Sequence, residues 1–170
     1  MDLLVVTAGR TGPNKALRFG GDASLDEAGR RRVAALAIEV GARPIVAGPE
    51  AATRQSAELL GPDVRVDDSL RTLDVGRWAG HAPDEVDPDD LAVWFGDPAS
   101  CPHGGESIAA FVERITLWHR TFAETADARA ASCVVVAMPV AQALLAGDAA
   151  SFFGIEVAPA TVYRLPRATG

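Results

Sequence analysis

The stretch Leu3-Leu4-Val5-Val6-Thr7-Ala8-Gly9-Arg10-Thr11-Gly12-Pro13-Asn14 decides the fold. Its leading apolar residues predict a short strand buried on both faces, as the strands of a parallel sheet are. Gly9, Gly12 and Pro13 then break the pattern and turn the chain. A parallel neighbour can be reached only through a crossover, and the sequence downstream supplies one. Asp26 stands where an N-cap is needed, and Val33, Leu36, Ala37 and Val40 recur at helical spacing through 30–40. A second short strand follows at 44–47.

The same alternation continues toward the C-terminus. Gly48-Pro49 turns the chain into a helix that reaches Leu60 and stops at Gly61-Pro62. Residues 64–66 predict a third strand. Residues 67–105 carry Pro83, Pro88, Pro98 and Pro102 with several Gly and Asp, and read as loop with short helical pieces. A long helix over 107–126 places Ile108, Phe111, Ile115 and Trp118 on one face. Residues 133–137 predict another buried strand, 141–153 an apolar helix ending near Gly154, and 161–165 a terminal edge strand. Strands alternating with helices predict an α/β fold, a three-layer sandwich with a mainly parallel central sheet. One domain spans 1–170, with a short loop-rich cap segment at about 81–103.

Bulk composition narrows the partners. A chain of 170 residues, 48% hydrophobic and 23% charged, suits one buried core and excludes disorder. The net charge is -7 and no basic stripe exists, so nucleic acid is not an expected partner. Arg30-Arg31-Arg32 lies on a predicted helix and reads as a solvated face. Cys101 and Cys133 form no CxxC pair, which argues against a zinc knuckle or a disulfide framework. Cys133 opens a buried run, whereas Cys101 sits in a Pro-rich loop beside His103. No His-x-x-x-His pair or calcium-loop spacing predicts a metal, and no cofactor is expected. No window approaches a membrane span, and the start lacks a basic-then-apolar leader, so we expect a cytoplasmic protein. Lys15 is the single Lys among 16 basic residues; with abundant Ala and Gly, this is the coding signature of a GC-rich bacterial genome.

Six fragments lie in order along this framework. Thr7-Ala8-Gly9-Arg10-Thr11, then Gly12-Pro13-Asn14, ends the first strand. Gly21-Asp22-Ala23-Ser24-Leu25-Asp26-Glu27-Ala28-Gly29 opens the first helix. Ala47-Gly48-Pro49, Ala52 and Thr53-Arg54-Gln55-Ser56-Ala57 follow the second strand. Leu70-Arg71-Thr72 precedes Gly76-Arg77-Trp78-Ala79-Gly80. Gly104-Gly105-Glu106-Ser107 opens the long helix, and Ala137-Met138-Pro139 ends the late strand. In this order the fragments resemble the histidine-phosphatase (phosphoglycerate-mutase-like) superfamily over about 3–165. The resemblance implies a phosphoglycerate-mutase-like fold. It also implies a chemistry in which one His attacks phosphorus and carries the phosphoryl group. A second His and two Arg hold the phosphoryl oxygens, and a carboxylic acid moves the proton.

The resemblance assigns the nucleophile to position 8, the two Arg to 7 and 52, the acid to 72 and the second His to 138. Those places hold Ala8, Thr7, Ala52, Thr72 and Met138. Alanine cannot attack phosphorus, and threonine does not serve as the proton donor. The chain is therefore identified as a catalytically degenerate member, expected to be a pseudoenzyme with a binding or regulatory role rather than an enzyme. The alternative is an enzyme or metabolite sensor that uses the remodelled pocket for a different small polar ligand. Gly9, Arg10, Thr11, Asn14, His103, Glu106 and Ser107 are its candidate ligand-binding residues. Arg18, Arg54 and Arg71 fall near the rim, and His81 and His103 fall in loops that cover the family's pocket. His119, beside Trp118, reads as packing or surface. The expected partner is a protein or a small polar ligand of unknown identity, with no nucleic acid and no membrane; a homo-oligomer is compatible with the sequence.

Overall fold

The structure, a computed structural model, describes residues 2–12, 18–125 and 133–166. Its centre is a five-stranded sheet in the order β3-β2-β4-β1-β5. The strands are β1 (Leu3–Thr7), β2 (Ile45–Ala47), β3 (Val64–Val66), β4 (Cys133–Val136) and β5 (Val162–Leu165). β4 pairs in parallel with both β1 and β2, and β3 pairs in parallel with β2. β5 runs antiparallel along the outer side of β1. The helices are α1 (Glu27–Ala34), α2 (Ala37–Val40), α3 (Ala51–Leu60), α4 (Pro88–Gly96), α5 (Ile108–Ala123) and α6 (Met138–Ala146).

Successive strand residues point to opposite faces, so each strand feeds two cores. Leu3 and Val5, with Val46, Val134 and Val136, pack against Phe111 and Ile115 of α5 and Val140 and Leu144 of α6. Leu4 and Val6, with Ile45, Cys133 and Val135, pack against Val33, Val40, Ala57 and Leu60. Burial on both faces is why the strands read as unbroken apolar runs. Each buried Val or Leu side chain contributes about 1.5–3 kcal/mol. The result is the three-layer α/β sandwich that the sequence predicts, with a mixed, mostly parallel sheet.

Two helix boundaries differ from the sequence expectation. The helix over 30–40 is two segments, with Leu36 N–H donating to Val33 O at 2.9 Å between them. That i→i−3 step tightens the turn. The apolar helix expected over 141–153 begins at Met138, because Pro139 is harmless in a first turn whose N–H groups have no intrahelical partner. It ends at Gly147, whose φ of 73° provides a left-handed cap, and a separate 3₁₀ turn spans Phe152–Gly154. Ser107 caps α5, its Oγ accepting from Ala110 N at 3.1 Å.

Candidate functional site

The carboxyl ends of the parallel strands form one rim, the place where open α/β sheets bind ligands. Ala8 N–H donates to Val136 O at 2.9 Å and Gly48 N–H to Val135 O at 3.0 Å, so β1 and β2 flank β4 there. Thr7 is fully buried. Its Oγ1 donates to Ala158 O at 2.6 Å and accepts from Thr161 N at 3.0 Å. That hydroxyl is committed to the 158–161 loop. Ala160 N–H donates to Ala8 O at 3.2 Å, and Ala160 itself holds φ 48°, a left-handed conformation that disfavours an L side chain.

Ala8 and Ala52 are buried with Leu25 in a small apolar cluster, and Leu59 packs against it. The loop bearing Leu25 is tied down onto α3. Leu25 N–H donates to Gln55 Oε1 at 2.8 Å, and Asp22 Oδ1 accepts from Ala51 N at 2.6 Å. Gly9 is buried, and its N–H donates to Ser56 Oγ at 3.1 Å. A Cβ on Gly9 would lie 2.8 Å from Val33 Cγ2, so glycine is needed for this close approach. Arg10 Nε donates to Asp26 Oδ2 at 2.8 Å. Asp26 also caps α1 through Gly29 N at 2.6 Å. That backbone bond, with Arg10, holds the Asp26 carboxyl below the usual carboxylate range. Thr11 is exposed. Met138 opens α6 with its side chain partly in solvent. Asn14 lies outside the described residues.

Thr72 is half-buried, and its backbone N–H donates to Glu50 Oε1 at 2.5 Å. Sequence patterning does not flag Glu50, because an acid at a helix start reads as a complement to the dipole. The structure makes it prominent. Its second oxygen, Oε2, is shut away from solvent and has no hydrogen-bond partner. It lies 2.9 Å from where a Cβ on Gly48 would stand, so the bare glycine leaves room for the carboxylate. Among the described residues, no cation forms an ion pair with it.

Beyond Thr72 lies a shallow cavity, wide open to solvent, of about 460 Å³, lined by Arg71, Asp74, Cys101, Gly105, Glu106 and Ser107 among others. That volume is within the range of small-molecule sites. Glu106 is committed to a two-bond pair with Arg114, Nε to Oε2 and Nη2 to Oε1, both at 2.9 Å. Cys101 Sγ donates to Gly105 O at 3.1 Å. Arg71 is exposed and lines the cavity. His103 sits behind this wall, fully buried, edge-on to Trp78 with ring centroids 5.0 Å apart. Burial pushes its pKa below the ordinary value, with nearby Asp74 opposing and Arg77 reinforcing. His81 is exposed, and His119 is half-buried on α5. The sequence-predicted residues thus separate into a rim group (Thr7, Ala8, Gly9, Ala52, Met138) and a cavity group (Glu106, Ser107, backed by His103). Thr72 joins the two. No group of three or more His, Cys, Asp or Glu placed to hold a metal occurs among the described residues. No described helix is long and apolar enough to cross a membrane.

Comparison with known proteins places this geometry. The family description "Histidine phosphatase superfamily (branch 1)" matches residues 3–169. No curated protein sequence matches the chain. A solved mycobacterial glucosyl-3-phosphoglycerate phosphatase is similar at 26% identity, covering 95% of this chain and 87% of that one, with a TM-score of 0.78. The same phosphatase in complex with VO3 is similar at 25% identity, covering 99% of each chain, with a TM-score of 0.79. A phosphoserine phosphatase from Entamoeba histolytica, as a His-to-Ala mutant in complex with phosphoserine, shares the fold. Its TM-score is 0.81 at 15% identity, over 95% of this chain and 88% of that one.

Proposed function

The chain belongs to the histidine phosphatase superfamily, branch 1, and on that premise we propose that it binds a small polar ligand without carrying phosphoryl groups on histidine. The observation that carries the proposal is the burial of Ala8 and Ala52 with Leu25. If positions 8 and 52 are where the family keeps its nucleophile and one phosphate-binding Arg, an apolar cluster now occupies that ground. Thr7, at the other Arg position, spends its hydroxyl on the 158–161 loop. Each lost charge-assisted bond removes about 1.5–3 kcal/mol of phosphate affinity. His103 is fully buried against Trp78 and so is not placed to serve as the nucleophile.

Ligand binding is assigned to the cavity beyond Thr72, where Arg71, Asp74 and Ser107 present charged and polar groups to solvent-filled space. A purely structural pseudoenzyme, recruiting a protein instead, is the second reading. It is favoured by Val93 and Phe95 of α4, which are 51% and 57% exposed.

Two measurements on the purified protein test this. Aryl phosphate and glucosyl-3-phosphoglycerate should not be turned over; turnover abolished by Arg71→Ala or Glu106→Gln would overturn the loss of phosphoryl chemistry. A thermal-shift screen of amines, polyols and hydroxy acids should yield a stabilising compound whose effect is lost in Arg71→Ala. A screen with no shift from any class would overturn ligand binding and leave the second reading.

A further inference from the structure

We infer that Glu50 is a specificity-determining residue whose half-buried carboxylate sets the strand-end rim against phosphate. This rests on the reading above, that the rim no longer handles phosphoryl groups.

Three observations place the charge. Thr72 N–H holds Oε1 at 2.5 Å, so the carboxylate is anchored rather than free to swing into solvent. Oε2 is shut away from solvent and accepts no hydrogen bond from the described residues. No Arg, Lys or His among the described residues pairs with Glu50. Gly48 belongs to the same arrangement, since Oε2 lies 2.9 Å from where its Cβ would be.

The carboxylate therefore lies over Gly48, at the end of β2. β4 separates β2 from β1, so two strand spacings, about 10 Å, lie between Gly48 and Ala8. At that range in a partly buried site, one negative charge weakens binding of each charge on an anion by about tenfold. The same field strengthens binding of an ammonium or guanidinium by a similar factor. Shutting Oε2 away from solvent reduces the screening of this charge.

Inorganic phosphate is the probe, followed by ³¹P line broadening or calorimetry. The wild type is compared with Glu50→Gln, whose amide oxygen still accepts the Thr72 N–H, and with Glu50→Ser, a favourable N-cap. Circular dichroism establishes which variants fold. Either neutral variant should bind phosphate at least about tenfold more tightly than the wild type, or measurably where the wild type shows nothing. Glu50→Asp, which keeps the charge, should behave as the wild type. Equal phosphate binding by the wild type and a folded neutral variant, including none by either, overturns the inference. Phosphate-ester turnover by the wild type would instead strike the proposed function, and the comparison between variants would still measure Glu50.

Discussion

The backbone N–H of Gly105 donates to Nδ1 of His103 at 3.0 Å, which makes this imidazole a neutral acceptor inside an aromatic wall. Protonation would set a second N–H against that donor. Burial holds the folded-state pKa below the ordinary 6.5. Above pH 6.5 both folded and unfolded chains keep the imidazole neutral, and the stability it confers is fully present. As pH falls below that value the unfolded chain takes up the proton first, so stability falls toward the folded-state pKa. Half-buried His119 acts with the same sign. Urea midpoints should therefore drop between pH 7 and pH 5, and His103→Asn should flatten the slope. A slope unchanged in that variant would refute the assignment.

Arg114 ties the cavity wall to a 3₁₀ turn at Asp68–Leu70. Besides its two bonds to Glu106, it donates to Ser69 O at 2.9 Å and Arg71 O at 3.1 Å. The Glu106 and Arg114 side chains are only 16% and 19% exposed, so removing one partner leaves a poorly solvated charge. Arg114→Ala should lose about 3 kcal/mol in chemical denaturation. Arg114→Lys should recover only part of it, because an ammonium cannot make the planar fork.

Gly76 and Gly105 face each other's neighbours across the same wall. A Cβ on Gly105 would collide with the Asp74 carbonyl oxygen, and one on Gly76 with the His103 carbonyl oxygen. Both obstacles are backbone, which cannot step aside as a flexible side chain can. Gly105→Ala and Gly76→Ala should each lower stability by about 1–3 kcal/mol, with Gly76 strained further by its φ of 49°. Gly154→Ala, with open space around it, is the control and should leave the melting temperature nearly unchanged.

Thr7→Val keeps the shape of a buried side chain and deletes one hydroxyl. Ala158 O and Thr161 N–H would each lose a partner. We expect a loss of about 1–3 kcal/mol and faster proteolytic cleavage within 158–161. Unchanged cleavage would show that the hydroxyl does not hold the loop.

The framework was legible in the residues because burial leaves a local signature. β1 and β4 pack on both faces, so they appear as unbroken apolar runs, and Gly or Pro marks the turns that follow. Asp26, Ser107 and Gly61 marked helix ends for the same reason, since caps act over a few residues. The family resemblance used this punctuation: positions 7, 8 and 138 lie at or beside strand ends, 52 in the first turn of α3, and 72 on the loop that Glu50 holds.

The amino-acid sequence by itself determined the sandwich, the placement of its turns and the absence of His at positions 8 and 138. Only the tertiary structure decided what stands in their place. Leu25 reaches Ala52, Gly9 reaches Ser56 across 47 positions, and Thr72 reaches Glu50 across 22. No periodicity encodes such pairs, because each is made by chain segments that the sheet brings together after the local elements have formed. The sheet order β3-β2-β4-β1-β5 sets β2 beside β4 and so sets the distance from Glu50 to Ala8. The electrostatics of the rim therefore belong to the fold rather than to any stretch of sequence.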